Sequence, residues 1–95
     1  MPKAYWIARV DVHDPDVYKK YVEANGAAFA KYNAKFLARG GRAEVLEGPG
    51  RARNVVIEFA SMEEALACYH SPEYAAAKQF RLAASTGEFV LVEGI

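Results

Sequence analysis

Two signals for the start of a helix, each directly behind a strand-like segment, constrain the fold of this chain most. Asp14-Pro15-Asp16 combines a capping carboxylate, a proline suited to the first helical turn and an acid at the positive end of the helix. Ser61-Met62-Glu63-Glu64 matches a capping box, in which a serine and a later glutamate satisfy free backbone N–H groups. We therefore predict two helices, beginning near residues 15 and 62.

The segments around these helices alternate apolar and polar side chains with the period that is typical of β-strands. We predict four strands, over Ala4–Val12, Lys35–Glu47, Asn54–Ala60 and Phe89–Ile95. The first helix carries an apolar and aromatic stripe from Tyr18 to Tyr32. The second helix is expected to break at Ser71-Pro72, which supplies a new cap and a helix-starting proline, and to resume toward Ala84.

The order strand, helix, strand, strand, helix, strand predicts an α+β protein with the ferredoxin-like βαββαβ fold. In that fold a four-stranded antiparallel sheet carries both helices on one face. The expected helix-facing residues are Trp6, Ala8, Val10, Val55, Ile57, Phe59, Val90 and Val92.

The opposite face of the sheet is also expected to be apolar. Its predicted members include Tyr5, Ile7, Val56, Phe89 and Leu91. Because so much apolar area is costly to leave in water, we predict that two copies pack sheet to sheet as a homodimer.

Gly40-Gly41 interrupts the second predicted strand directly after Arg39, which indicates a bulge or a sharp bend that re-aims this charged side chain. If the register holds through the bend, Arg39 shares the outer face with Arg9, Glu58 and Glu93. These cations and anions would then meet around a central cavity and pair there.

Length and composition limit the remaining choices. With 95 residues, 53% of them hydrophobic and 25% charged, the chain is expected to form one domain over residues 1–95. The formal net charge is zero, which argues against nucleic acid and anionic membranes as partners. No apolar run is long enough to span a membrane, the N-terminus runs directly into a strand, and Cys68 stands alone, so we expect a cytoplasmic protein.

Arg39 and two glutamates are the charged candidates for a site. Arg39 could hold a carboxylate through its planar fork, or it could form a structural ion pair with Glu58 or Glu93. The two glutamates could form an acid–base pair, or arginine partners could keep both as plain anions.

His70 could serve as a base or a metal ligand beside the Ser71-Pro72 break, or as a cation at a helix C-terminus. His13 is expected to be solvated and Cys68 to be a small buried side chain. Tyrosines such as Tyr18 and Tyr69 could line a pocket with their phenolic groups. The histidine spacing does not predict a metal site, and no nucleotide motif predicts a cofactor.

The chain resembles a bacterial family known as domain of unknown function 1330, within the dimeric α/β-barrel superfamily. The resemblance covers essentially the whole chain and rests on Tyr5-Trp6-Ile7-Ala8, Asp14-Pro15, Tyr18 with Tyr21, Arg39-Gly40-Gly41, Glu44 to Gly48, Glu58-Phe59, Tyr69 to Tyr74 and Val92-Glu93-Gly94. Many members place a proline where this chain has Ala60. The resemblance implies the ferredoxin-like fold and a sheet-to-sheet dimer. Its superfamily includes monooxygenases, isomerases and chlorite dismutases, which is analogy of fold rather than function.

Two hypotheses of function follow. In the first, a homodimer binds a small organic molecule, which could be an anion, in a cleft between the sheet and the helices. The protein would then act as a cofactor-independent isomerase or monooxygenase. The residues expected there are Arg39, Tyr18, Tyr69, Glu58 and Glu93 as ligand-binding groups, with His70 and Glu58 as catalytic candidates. In the second, the protein is a non-catalytic sensor or structural dimer whose charges only fix the sheet register. Haem binding through His70 is a third possibility, and the substrate and the reaction stay open.

Overall fold

The helix boundaries follow the caps that the sequence predicts. The computed structural model describes residues 2–95. The side chains of Asp14, Ser61 and Ser71 accept hydrogen bonds from the backbone N–H groups of Val17, Glu64 and Tyr74 at 3.2, 3.2 and 3.1 Å. The predicted break at Ser71-Pro72 is confirmed, so the second helical segment is two helices.

Seven elements form the fold. They are β1 (Ala4–Val12), α1 (Pro15–Lys31), β2 (Lys35–Arg39), β3 (Arg53–Phe59), α2 (Met62–Tyr69), α3 (Pro72–Ala84) and β4 (Ser85–Glu93). The strands form one antiparallel sheet in the order β2-β3-β1-β4. This is the predicted α+β, ferredoxin-like arrangement. Within residues 2–95, no helix is long and apolar enough to cross a membrane.

The register of β4 corrects the predicted faces of the sheet. Leu91 lies opposite Trp6 and Phe89 opposite Ala8, so both face the helices, whereas Val90 and Val92 are 56% and 43% exposed on the outer face. The prediction had these pairs reversed. Since both sets are apolar, period-two alternation alone could not decide which set lies beneath the helices. The strand also starts at Ser85, directly after α3, and not at Phe89 as predicted.

The second strand is shorter than predicted, and its bulge lies elsewhere. β2 ends at Arg39, and residues 40–52 form no strand. The register shifts between Phe36 and Ala38, so the bulge lies at Leu37 and not at the glycine pair. The extra residue places Arg39 opposite Val55, on the helix-covered face and not on the predicted outer face.

Trp6 is the centre of the core beneath the helices. Its indole ring lies 5.0 Å from the ring of Tyr74, 5.4 Å from Phe29, 5.6 Å from Tyr69 and 6.3 Å from Phe89. The aromatic rings of β1, β4 and all three helices therefore meet around one residue.

The ends of several elements meet at one corner of the fold. The carbonyl oxygen of Ala84, the last residue of α3, accepts hydrogen bonds from the backbone N–H groups of His13 and Asp14 at 2.9 and 3.1 Å. The corner joins the start of α1 to the junction of α3 and β4, so residues far apart in sequence fix each other's position.

The outer face of the sheet has an apolar centre and a charged rim. Its apolar members are Tyr5, Ile7, Val56, Val90 and Val92. On the rim, Arg51 binds Glu88 through two nitrogens at 2.8 and 2.5 Å, and Asp11 at 2.8 Å. These bonds hold the end of the loop 40–52 against β1 and β4.

Candidate functional site

Two cavities lie beside the helix-covered face, and Trp6 and Phe89 line both of them. The larger one, here the Tyr69–His70 cavity, has a volume of about 400 Å³. The smaller one, here the arginine cavity, has a volume of about 30 Å³ and contains both Arg39 and Arg53 in its wall.

The Tyr69–His70 cavity has apolar walls with two polar groups. Its apolar lining comes from Trp6, Met62, Leu66, Phe89, Val90 and Leu91. His70 follows the last residue of α2, where its backbone N–H donates to the Leu66 carbonyl at 3.0 Å. The imidazole ring lies edge-on to the Tyr69 ring at 5.2 Å and is exposed to solvent. The helix end thus presents a titratable ring at an apolar cavity of ligand size.

The arginine cavity lies between α1 and the strands β2 and β3. Its polar lining consists of Tyr18, Tyr21, Asn25, Arg39 and Arg53. The Arg39 guanidinium lies 3.5 Å from the centre of the Phe36 ring, and that of Arg53 lies 5.5 Å from the centre of the Tyr18 ring. Two cations are therefore held by stacking on aromatic rings.

Gly40 gives Arg53 the space to lie there. Its φ of +64° favours glycine, and a Cβ at this position would collide with the Arg53 guanidinium. Its backbone N–H also donates to the Asn54 carbonyl at 2.9 Å, which joins the end of β2 to β3. The glycine that the sequence marks as a bend is thus part of the cavity's construction.

A pair of tyrosine hydroxyls is buried behind the arginine cavity. The hydroxyl oxygens of Tyr21 and Tyr74 lie 2.8 Å apart in a hydrogen bond. Burial raises the pKa of both phenols, and the positive charge of Arg81 partly opposes that rise. Both hydroxyls therefore stay neutral donors at physiological pH.

Arg81 is buried in this region, and within residues 2–95 it forms no ion pair with a carboxylate. It is 6% exposed, its guanidinium lies 3.8 Å from the centre of the Phe89 ring, and its Nε has no hydrogen-bond partner within residues 2–95. A buried cation with no opposite charge close by raises the local positive potential.

The structure does not bring the predicted site residues together in one site. Tyr18 and Arg39 line the arginine cavity, whereas Tyr69 and His70 line the larger one. Glu58 lies in neither cavity and pairs with Lys3 at 3.4 Å on the outer face.

Glu93 does not join Glu58, because it lies opposite Ala4 and so belongs to the other side of the sheet, at the end of β4. Neither glutamate forms an ion pair with Arg39. The expected meeting of two arginines with two glutamates on one face is therefore wrong.

Sequence reasoning missed Arg53 and Arg81. Arg53 keeps the period-two register of Val55, Ile57 and Phe59, which places a charge on the buried face of β3. Arg81 keeps the helical spacing of the buried stripe of α3, whose other members are Tyr74, Ala77 and Ala84. A search for charges in phase with apolar stripes could have found both.

The remaining candidate residues, Cys68 and His13, line neither cavity. Cys68 is buried, burial raises the pKa of its thiol to about 11, and its sulfur lies 3.9 Å from the Ala28 carbonyl oxygen. His13 is exposed and lines neither cavity. Within the part of the chain that the structure describes, no three His, Cys, Asp or Glu side chains are grouped to hold a metal.

The sheet order, the helical layer and the cavities beneath it define a small α+β protein of the ferredoxin-like class. Residues 3–95 match the family described as a domain of unknown function (DUF1330), and the chain belongs to that family. No curated protein is similar to it in sequence.

Solved structures share the fold at low sequence identity. A protein of unknown function from Rhodopseudomonas palustris is 17% identical with a TM-score of 0.82, over 99% of this chain and 83% of that one. SnoaB, a cofactor-independent oxygenase from Streptomyces nogalater, is 17% identical with a TM-score of 0.65, over 97% and 92% of the two chains. A dimeric protein of unknown function with a ferredoxin-like fold from Bacteroides fragilis is 19% identical with a TM-score of 0.61, over 96% and 95%.

Proposed function

We propose that the protein binds a small hydroxyaromatic molecule in the Tyr69–His70 cavity and oxidises it with O₂ as a cofactor-independent monooxygenase. One observation carries the binding part: a cavity of about 400 Å³ combines apolar and aromatic walls with just two polar side chains, Tyr69 and His70. Pockets for small organic ligands have this size and composition.

The chemistry assigned to this cavity needs a base and an electron-rich substrate. In a substrate with a methylene group activated by phenolic rings, His70 accepts a proton and leaves a carbanion or phenolate that can reduce O₂. One oxygen atom forms a carbonyl at the methylene carbon, and the other leaves as water with the two hydrogens that the substrate loses. The substrate itself supplies the electrons, so CH₂ and O₂ give C=O and H₂O.

The fold comparison favours oxidation over isomerisation. SnoaB, which shares this fold, is a cofactor-independent oxygenase. The similarity extends to fold alone, so the residues of the cavity must carry the argument for this chain. His70 is the group on which the proposal depends, because it is the titratable imidazole that reaches the cavity.

The first test separates binding from chemistry. Trp6 is the one tryptophan of the chain and lines the cavity, so its fluorescence reports occupation. We expect an anthrone with phenolic hydroxyl groups to quench this fluorescence with saturation. Leu66→Arg places a charge in the cavity wall and should weaken binding, whereas Leu82→Arg, at an exposed position on α3 that lines neither cavity, should not.

The second test measures O₂ consumption with the same anthrone, corrected for its reaction without protein. We expect His70→Ala to lower the rate about a hundredfold or more, the usual effect of losing a general base. The matched control, His13→Ala, changes an exposed histidine away from both cavities and should keep the wild-type rate. Saturable anthrone binding without O₂ uptake would show that the protein binds the ligand but does not oxidise it. If neither binding nor O₂ uptake is seen, the proposal is refuted.

We also propose that the protein is a homodimer through the outer face of its sheet. The support is the pattern of that face, in which exposed Ile7, Val90 and Val92 are surrounded by the charged groups of Arg51, Glu88 and other rim residues. An apolar centre with a polar rim is the usual anatomy of a protein interface. The related structure from Bacteroides fragilis is described as dimeric.

A further inference from the structure

We propose that the arginine cavity is a second binding site, specific for the carboxylate group of an organic acid, which Arg53 and Arg39 hold at the mouth between α1, β2 and β3. This site lies on the other side of the Trp6 and Phe89 wall from the Tyr69–His70 cavity. It is independent of the oxidation proposed there.

The charge balance of the region calls for an anion. Within residues 2–95, the ion pairs use Lys3, Lys31 and Arg51 as cations, and none uses Arg39, Arg53 or Arg81. The Nε atoms of Arg53 and Arg81 are buried and have no hydrogen-bond partner in the part of the chain that the structure describes. Because a cationic cavity wall without a paired anion is costly, the arrangement favours an anionic ligand that the guanidinium groups of Arg53 and Arg39 bind.

The guanidinium groups are held in place before any ligand arrives. Arg39 stacks on Phe36, and Arg53 lies over Tyr18 in the space left by Gly40. A fixed planar fork loses little entropy when it binds a carboxylate with two parallel hydrogen bonds. Stacking also leaves the in-plane N–H donors free for such a ligand.

The tyrosine pair supplies a neutral donor at the inner end of the cavity. Arg81 lies behind Phe89, and its positive charge acts on both the Tyr21 and the Tyr74 hydroxyls. The hydrogen bond between the two hydroxyl oxygens uses one of the two hydroxyl hydrogens, and either tyrosine can donate it. When Tyr74 donates, the hydrogen of Tyr21 is available to an acceptor in the cavity that Tyr21 and Asn25 line.

The size of the cavity selects the kind of anion. A volume of about 30 Å³ holds only about two water-sized atoms, which suits the two oxygens of a carboxylate and not a tetrahedral phosphate. The rest of the acid must lie outside the mouth, where Val22, which is 39% exposed, offers an apolar contact. The ligand class is therefore an aromatic or aliphatic monocarboxylic acid.

The test uses the arginine Nε–H signals in a ¹⁵N NMR spectrum, titrated with benzoate at constant ionic strength. We expect the Arg53 and Arg39 signals both to shift with saturation, so that each still reports benzoate binding when the other arginine is replaced. Arg53→Gln and Arg39→Gln should each weaken benzoate binding about tenfold, as the loss of a charge-assisted hydrogen bond does. Arg42→Gln removes an exposed arginine that lines neither cavity and should leave the affinity unchanged.

Two further titrations make the result specific. Benzyl alcohol, which has the ring without the charge, and inorganic phosphate, which has the charge without the planar head, should both fail to saturate the Arg53 signal. If Arg42→Gln weakens benzoate as much as Arg53→Gln, or if phosphate binds equally well, the carboxylate site is refuted. Arg53→Lys keeps the positive charge but loses the planar guanidinium group. If this variant folds and its affinity for benzoate is reduced, the guanidinium recognises the carboxylate and does not only stabilise the fold.

The outcome does not depend on the oxidation proposed for the other cavity. His70→Ala should leave benzoate binding at the arginine cavity intact, and Arg39→Gln should leave the O₂ consumption at His70 intact. Each proposal can therefore fail while the other stands.

Discussion

The buried hydroxyl pair of Tyr21 and Tyr74 links stability to pH at the scale of single residues. Both phenols have a pKa that burial raises above the ordinary value of 10.0. In the unfolded chain they ionise near pH 10, whereas in the folded protein they stay neutral to a higher pH. Since the unfolded state then binds fewer protons, the free energy of unfolding falls as the pH rises above about 10.

This argument predicts the behaviour of Tyr74→Phe. At pH 7 the variant should lose about 1–3 kcal/mol of unfolding free energy, because the Tyr21 hydroxyl loses its buried partner. Above pH 10 the difference from the wild type should narrow, since the variant has one phenol fewer to ionise. Urea denaturation at pH 7 and pH 10.5 measures both values, and parallel pH profiles of the two proteins would contradict the linkage.

Residue identities predicted the chemistry of this region only in part. Arg39 and Tyr18 come together in one cavity, as the idea of a single cleft required, but Tyr69 and His70 lie in another. The reason is the bulk of Trp6 and Phe89, which line both cavities from between them. The periodic pattern of apolar residues does not predict that the rings of Trp6 and Phe89 separate the space under the helices into two cavities.

At the scale of elements, local signals predicted well and registers did not. The caps of α1, α2 and α3 depend on a few neighbouring residues, so the sequence shows them directly. The face that β4 presents and the bulge at Leu37 depend on pairing with β1 and β3, which are distant in sequence. Where both alternating sets are apolar, the choice is made by packing.

Helix α1 contains a glycine that the fold does not require. Gly26 lies in the helix interior with nothing within 4 Å of a Cβ built on it. Gly26→Ala should therefore raise the unfolding free energy by about 0.5–1 kcal/mol through helix propensity and a less flexible unfolded chain. Chemical denaturation of the variant and the wild type gives the difference.

The matched control for this change is Gly87→Ala in β4. A Cβ there would collide with the backbone carbonyl of Arg9, which cannot move without disturbing β1. This substitution should lower the unfolding free energy, so the same glycine-to-alanine change acts with opposite sign in the two elements. Destabilisation by Gly26→Ala would mean that α1 depends on its glycine.

At the scale of the whole molecule, the prediction of a sheet-to-sheet dimer does not depend on which residues of β4 face the helices. The outer face carries Val90 and Val92 in place of Phe89 and Leu91, and it is apolar in either register. What changes is the charge, because Arg39 lies on the helix-covered face and Glu58 pairs with Lys3. In place of the expected arginine–glutamate pairs, the outer face has an ion pair of Lys3 with Glu58 and, at its rim, the ion pairs of Arg51.

This proposal predicts the assembly of two variants. Wild-type protein should sediment as a dimer, and Ile7→Lys should sediment as a monomer, because two copies would bring lysines together in an apolar contact. Leu82→Lys, on the exposed side of α3, should remain dimeric. Circular dichroism of Ile7→Lys checks that the monomer is folded, and a monomeric wild type at micromolar concentration would disprove the dimer.

The corner at Ala84 has a consequence for the way in which the chain acquires its structure. Its carbonyl binds the N–H groups of His13 and Asp14, so the start of the first helix is fixed by the end of the last one. The sheet repeats this pattern, since β1 lies between β3 and β4. The N-terminal elements β1, α1 and β2 therefore cannot complete their folding before β3, α3 and β4 have been synthesised. Such long-range closures slow folding and make it cooperative, so the N-terminal half must wait for the C-terminal residues.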